Sequence, residues 1–116
     1  MRDRRVGRKL KREAGPRKAL MHSLMRAIVL KHAIVTTEAK AKAVRPLFER
    51  VVTRARKGTL TDFRYVSSVV GKDAAALLKK DILPNIKDRR GGYVRITKFG
   101  VRKSDAARMA RIGFVD

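Results

Sequence analysis

The residues of this sequence best suited to chemistry are the arginines and lysines near its start. Seven of them stand between residues 2 and 12, where Asp3 is the only acid. Guanidinium and ammonium groups bind phosphate oxygens, and arginine does so through two parallel hydrogen bonds. The segment has no usable hydrophobic period and too few apolar side chains to offset its ordering entropy. We therefore predict an arm that is disordered alone and folds on contact with a polyanion. A solvated tail or a nuclear-localisation-like cluster is the alternative.

The candidate nucleic-acid contacts begin in this arm and continue along the chain. Those after the arm stand at the start of a predicted helix, along a second helix and in a predicted strand. For each of them the alternative is a solvated side chain. The candidates are Arg2, Arg4, Arg5, Arg8, Lys9, Lys11, Arg12, Arg17, Lys18, Lys40, Lys42, Arg45 and Arg95.

Groups suited to catalysis or metal binding are few. The chain has no cysteine, and His22 and His32 are nearly three helical turns apart, which is not the spacing of a chelating pair. Helix capping explains Glu38, Asp62 and Asp73, and the dipeptide at residues 91–92 lacks the rest of a phosphate-binding loop. We predict no catalytic, metal or cofactor site and no small-molecule substrate. A nuclease or RNA-modifying enzyme stays open, because distant acids could still meet in space.

The charge balance defines the class of partner. The 116 residues include 31 Lys and Arg against 10 Asp and Glu, a formal net charge of +21. Such a protein binds polyanions, which could be a nucleic acid, an anionic membrane surface or an acidic protein. No apolar run approaches the ~20 residues of a spanning helix, so we predict no membrane insertion. Arm and body are both basic, which favours embedding in a polyanion over docking by one face.

Apolar spacing and turn residues predict the first half of the fold. Leucines and Ile28 recur every four residues from Leu20, beside two methionines, which predicts a helix over about 17–31. Residues 33–36 are short and β-branched, as in a buried strand. Thr36 or Thr37 then caps a second helix that ends at Lys57. Its predicted apolar stripe contains Ala39, Ala43, Leu47, Val51 and Ala55, widened by Phe48 and Val52, with a kink at Pro46.

The second half changes from helical to extended spacing. Thr61 or Asp62 can cap a short third helix, with Phe63, Val66, Val69 and Val70 inward, that ends at Gly71. Asp73 can cap a fourth that closes at Pro84. Residues 91–99 and 109–115 alternate at a period of two, which predicts two strands. The order α-β-α-α-α-β-β predicts a two-layer α/β domain with a small three-stranded mixed sheet covered by helices. We divide the chain into a basic arm, residues 1–15, and one globular domain, residues 16–116.

Several spaced blocks closely resemble a bacterial ribosomal protein family, that of the seventeenth protein of the large subunit. The resemblance spans nearly the whole chain, and several spaced blocks in the right order are more specific than any one basic run. One departure is Gly113, at a position where the family is expected to have Glu. The blocks are Met1-Arg2 with residues 7–10 (GRKL) and Arg12, residues 17–20 (RKAL), residues 34–42 (IVTTEAKAK), Arg45-Pro46, Glu49, residues 51–56 (VVTRAR), residues 91–96 (GGYVRI) and Asp105-Ala106-Ala107 with Met109-Ala110.

The resemblance implies a structural constituent of the large ribosomal subunit, in the cytoplasm, that binds large-subunit (23S) rRNA. It implies a position near the exit side of the peptide tunnel and neighbouring ribosomal proteins as partners. It implies no enzyme activity and no cofactor. The alternative is a DNA-binding or nucleoid-type architectural protein. A helix-turn-helix reader is disfavoured because a predicted strand separates the first two long helices.

Overall fold

Five helices and three strands make up the part of the chain that the computed structural model describes, residues 13–86 and 88–115. The first strand follows one helix, and the other two strands follow a run of helices. This arrangement confirms the predicted α/β class and element order. The elements are α1 (Ala14–Lys31), β1 (Ala33–Thr37), α2 (Glu38–Lys57), α3 (Leu60–Val70), α4 (Lys72–Leu77), a π-helical turn (Leu78–Ile82), α5 (Leu83–Ile86), β2 (Val94–Val101) and β3 (Arg108–Phe114).

Most of the predicted arm lies outside the described residues, whereas its predicted boundary after residue 15 lies within a helix. Residues 1–12 are not described, and α1 begins at Ala14, about three residues before the predicted start of the first helix. Pro16 lies in its first turn, where proline fits because that turn needs no backbone donor. The division of the chain at residue 15 stays a prediction.

Threonine side chains cap the N-termini of α2 and α3. The Thr37 hydroxyl accepts a hydrogen bond from the Lys40 N–H at 3.4 Å, as predicted for one of the two threonines there. The cap of α3 is Thr59, which accepts from the Asp62 N–H at 3.1 Å. Thr61 and Asp62 lie inside that helix, so their predicted capping role is wrong. The α2 helix continues through Pro46 and ends at Gly58, whose φ of 73° suits glycine.

The helical segment from Lys72 to Ile86 differs from its prediction at both ends. Asp73 lies in the first turn of α4 rather than at its cap, and Gly71 precedes the helix. Helical structure continues past Pro84 to Ile86, so the predicted stop at the proline is wrong. The π-helical turn just before α5 changes the hydrogen-bond ladder, and Pro84 then stands in the first turn of α5, where a missing N–H is tolerated.

The sheet has the order β1-β3-β2, and both pairings are antiparallel. The prediction of a mixed sheet is therefore wrong. A parallel pair would have needed β1 beside β2, but β3 lies between them and runs against both. As an edge strand, β1 has no fully buried residue, and Val35 is 45% exposed, so the prediction of a buried strand is wrong.

Helices α1 and α2 cover one face of the sheet and enclose the core. Phe48 of α2 packs against Phe114 of β3 with ring centroids 5.5 Å apart. The apolar stripes are rotated from their predicted centres: Met21 and Met25 are buried in α1, while Leu20 and Leu24 are only partly buried. The α2 stripe is rotated likewise, because the buried face of a helix is set by its neighbours as well as by its spacing. The buried residues of α2 are Ala41, Val44, Phe48, Val51 and Val52.

Candidate nucleic-acid interface

The predicted nucleic-acid contacts divide into those the structure describes and those it does not. The seven arm residues Arg2, Arg4, Arg5, Arg8, Lys9, Lys11 and Arg12 lie outside the described residues. Their role stays a prediction. The six that the structure describes are Arg17, Lys18, Lys40, Lys42, Arg45 and Arg95.

A groove between α1, α2 and α3 brings the first cations together. It has a volume of about 730 Å³, and Met21, Met25 and Val51 line its apolar part. Arg17 and Lys18 line it from α1, and the Arg50 guanidinium, which the sequence reasoning did not single out, lines it from α2. The groove therefore combines an apolar lining, of which Met21, Met25 and Val51 are buried, with several positive charges.

The start of α2 holds the next three candidates in different environments. Lys42 forms an ion pair with Glu38 one turn earlier, with 3.7 Å between the Nζ and Oε2 atoms. Lys40 is half-buried, and Arg45 is exposed with no acidic partner among the described residues. Arg45 is therefore the most available of the three to an anion, and the charge of Lys42 is partly compensated.

Arg95 lies apart from the helical candidates, on the sheet. It faces away from α2, opposite Gly113 in the strand register, and its side chain is exposed. Arg111 of β3 is exposed as well and lies on the same face, diagonally across the register. Sequence reasoning missed Arg111, although its place two residues before Gly113 in an alternating strand was a usable signal. The described candidates therefore form two groups, one on the helices and one on the sheet.

Most acids of the described region are engaged in contacts within the fold. Asp73 accepts two hydrogen bonds from Arg26, at 2.7 and 2.8 Å. Those bonds, helped by the Ala74 N–H, lower the pKa of Asp73 to about 2. The carboxylate of Glu49 accepts the backbone N–H groups of Tyr93 and Val94, both at 3.1 Å, and so fixes the start of β2.

Two further acids repeat this pattern. Asp62 accepts from the Thr59 hydroxyl at 2.7 Å and from Arg54 at 2.9 Å, and these bonds lower its pKa. Asp105 is held bidentately by Arg102, at 3.0 and 2.8 Å, which lowers the pKa of Asp105 to about 2. Because these acids are engaged locally, their charges do not offset those of Arg45, Arg95 and Arg111, which have no acidic partner among the described residues.

The two histidines lie in different parts of the fold, and neither belongs to a cluster of possible metal ligands among the described residues. His22 lies in the groove, where burial and then the nearby Lys18 charge lower its pKa. His32 follows α1 with a φ of 66°, and its ring packs edge-on to Phe114. Residues 13–86 and 88–115 contain no group of three or more His, Cys, Asp or Glu side chains placed to hold a metal ion. In the same region no helix is both long and apolar enough to cross a membrane.

The fold and its surface define a small, strongly basic two-layer α/β protein whose exposed cations suit a polyanion. Comparison with known sequences makes the class specific. The profile of the family described as ribosomal protein L17 matches residues 20–115. The chain belongs to the ribosomal protein L17 family, as the sequence blocks led us to expect.

Individual relatives show how much of the chain the sequence similarity covers. A large ribosomal subunit protein bL17 of Chlorobium limicola is 44% identical over 100% of this chain and 78% of its own length. The bL17 protein of Gemmatimonas aurantiaca is also 44% identical, over 99% of this chain and 98% of its own. That of Shouchella clausii is 40% identical, over 92% and 97%. The likeness therefore includes the arm as well as the folded domain.

Proposed function

We propose that this protein is a structural constituent of the large ribosomal subunit, in the cytoplasm, and that it binds 23S rRNA as a scaffold without catalytic activity. Membership in the ribosomal protein L17 family supports the assignment to the large subunit, because the relatives are named as large-subunit proteins. The observation that carries the RNA-binding step is the excess of 31 cationic over 10 acidic side chains. Of those acids, Glu49, Asp62, Asp73 and Asp105 are already engaged in the fold.

The binding mechanism that we propose is release of counterions combined with a fit of shape. Each phosphate that a Lys or Arg neutralises frees condensed cations, so affinity falls by roughly 0.7–0.9 log units per log unit of salt for each such contact. The planar guanidinium adds bidentate phosphate contacts and stacking on unpaired bases. The proposed contacts are Arg2, Arg4, Arg5, Arg8, Lys9, Lys11, Arg12, Arg17, Lys18, Lys40, Lys42, Arg45 and Arg95.

We further propose that the protein lies near the peptide exit region and contacts neighbouring large-subunit proteins. Both steps rest on the family resemblance. The groove between α1, α2 and α3 offers apolar surface of the kind that contacts with neighbours use.

Sedimentation in cells tests the assignment to the subunit. The tagged chain is expressed, and the lysate is separated on a sucrose gradient at moderate salt. We expect the protein to sediment with large subunits and their precursors. Sedimentation as free protein, or with DNA, would overturn the proposal and favour the DNA-binding alternative.

Deletion of residues 2–12 tests the role of the arm. We expect weaker binding to a 23S rRNA fragment, with a salt dependence that is less steep because fewer phosphates are neutralised. Thermal unfolding of the isolated protein should stay cooperative, because the segment has only Val6 and Leu10 as large apolar residues. Loss of cooperative unfolding would contradict the separation into arm and domain. Equal binding by the truncated and full chains would remove the arm from the interface.

A further inference from the structure

The face of the sheet opposite the helices carries its own row of side chains. In the strand register, Val35, Arg111 and Thr97 lie side by side across β1, β3 and β2. The alternate residues Ile34, Ile112 and Ile96 point to the other face, toward α2. Of the first row, Val35 is 45% exposed, and Arg111 and Thr97 are exposed too. We call this surface the open face, formed by Val35, Arg95, Thr97, Phe99 and Arg111.

One end of the open face is flat because Gly113 has no side chain. A Cβ atom at Gly113 would lie 2.6 Å from the Cβ of Ala33 and 2.8 Å from the His32 carbonyl oxygen. Glycine is thus the residue that allows β1 to approach β3 this closely. The residue paired with Gly113 on β2 is Arg95, so no side chain lies directly opposite Arg95 on β3.

The other end of the open face has an exposed aromatic ring. The register of β2 and β3 shifts between Lys98 and Gly100, so that Phe99 is the extra residue of a β-bulge. Phe99 continues the alternation of Arg95 and Thr97 and is 62% exposed. Bulges re-aim side chains, and Gly100, with a φ of 123°, permits this one.

The charges around the open face have one sign. Arg95 and Arg111 have no acidic partner among the described residues, and diagonal neighbours on one sheet face are about 7–8 Å apart, with their Cβ atoms somewhat closer. Of the acids next to the strands, Glu38 pairs with Lys42 and Asp105 is held by Arg102. A surface to which residues 13–86 and 88–115 contribute arginines, an exposed aromatic ring and no free carboxylate complements a ligand with phosphates and flat bases.

We propose that the open face binds unpaired nucleotides of the RNA, with one base stacked on Phe99 and the backbone held by Arg95 and Arg111. This inference rests on the proposed function and identifies a distinct part of the interface. Single-stranded RNA fits better than a duplex because its bases are free to stack on an aromatic ring. A second copy of this chain is disfavoured by the net charge of +21 on each copy.

The test measures binding of the full chain to a 12-nucleotide single-stranded oligoadenylate and to a duplex of the same length. Fluorescence anisotropy is recorded over a series of salt concentrations. We expect Phe99→Ala to weaken single-strand binding by at least about fivefold, as lost base stacking does. Its salt slope should be unchanged, since no charge is removed. Arg111→Gln should lower that slope by about 0.7, the contribution of one phosphate on a single strand.

Matched controls come from the opposite side of the fold. Leu60 in α3 is 64% exposed, so Leu60→Ala removes an apolar side chain as exposed as Phe99. Lys72→Gln removes a cation from α4, and both controls should bind like the original chain. Phe99→Trp should retain single-strand binding, and its fluorescence should be quenched when the oligonucleotide is added. This variant also tests the proposal if Phe99→Ala proves unstable.

Three results would overturn the proposal. The first is Phe99→Ala and Arg111→Gln binding the single strand as the original chain does. The second is an equal loss of duplex and single-strand binding in Phe99→Ala. The third is normal oligonucleotide binding by Phe99→Ala together with lost sedimentation in the large subunit, which would make the open face a protein contact. Sedimentation of the original chain apart from large subunits would instead overturn the proposed function.

Discussion

On one face of the sheet, Ile34, Ile96 and Ile112 lie side by side beneath α2, and on the other, Val35, Thr97 and Arg111 lie side by side in solvent. Both rows come from the same three strands, because successive residues of a strand point to opposite faces. The first row, in which Ile112 is fully buried and Ile34 and Ile96 are partly buried, stabilises the fold. The second contributes little to folding and stays available for a ligand. Neighbouring residues of one strand thus have separable effects on stability and on binding.

The largest expected effect is that of truncating the buried row. Ile112→Ala removes a side chain that is fully buried, which we expect to lower the free energy of unfolding by about 2–5 kcal/mol. Arg111→Gln, one residue away, should change it by less than about 0.5 kcal/mol. Urea unfolding followed by circular dichroism measures both values. Similar losses in the two variants would contradict the division between the faces.

A hydrogen-bonded carboxylate joins the helical layer to the sheet and gives the next effect. Gln in place of Glu49 offers one oxygen where the carboxylate accepts the N–H groups of both Tyr93 and Val94. We expect Glu49→Gln to lower the free energy of unfolding by about 1.5–3 kcal/mol. RNA affinity at temperatures well below the unfolding midpoint should not fall. A loss of affinity without a loss of stability would place Glu49 in the interface.

Gly113 is the exception to the rule that the open face does not affect stability. We expect Gly113→Ala to destabilise the fold by about 1–3 kcal/mol, because its Cβ would collide with Ala33. The double variant with Ala33→Gly should recover only part of that loss, since it removes the Ala33 Cβ atom but leaves the His32 carbonyl oxygen 2.8 Å away. Thermal unfolding of both proteins measures the effect. If Gly113→Ala is as stable as the original chain, β1 can move away from β3, and the close approach is not required.

The smallest expected effect is the change of stability with pH that an ion pair between two helices causes, since the sheet is not involved in it. Arg26 lowers the pKa of Asp73 to about 2, below its ordinary value near 3.8. The stabilisation is therefore complete above pH 4–5 and is lost as the pH falls toward 2. Asp73→Asn should remove this part of the acid sensitivity, as measured by unfolding midpoints from pH 5 to pH 2. Identical acid profiles would contradict the contribution of this pair.

The sequence predicted the elements of this fold better than their arrangement. Gly58 and Thr37 act through local chemistry, so the ends of α2 could be predicted. The pairing of β1 with β3 depends on contacts between distant segments, and no local pattern distinguishes an antiparallel from a mixed sheet. The same dependence on distant contacts explains why Arg111 was not among the predicted RNA contacts. Its strand was predicted, but its place beside Arg95 requires the register that only the folded sheet defines.

For the candidate site, the sequence predicted the overall charge but not the environment of each cation. Counting cations was enough to predict a polyanion as the partner, because net charge needs no geometry. Distinguishing Lys42, which pairs with Glu38, from Arg45, which is exposed, needed the contacts themselves. The exposure of Phe99 depends on a bulge. An aromatic residue in an alternating strand is otherwise as compatible with a core position.

The central place of β3 in the sheet has a consequence for the order of events during synthesis. Both β1 and β2 pair with β3, and β3 follows them in the chain. Until residues 108–114 have left the translating ribosome, neither of the other strands has its hydrogen-bonding partner. The helices can associate earlier, since their contacts are closer in sequence. The sheet, with its open face, therefore forms late, and an incomplete chain presents its basic helices before it can offer the nucleotide-binding surface proposed here.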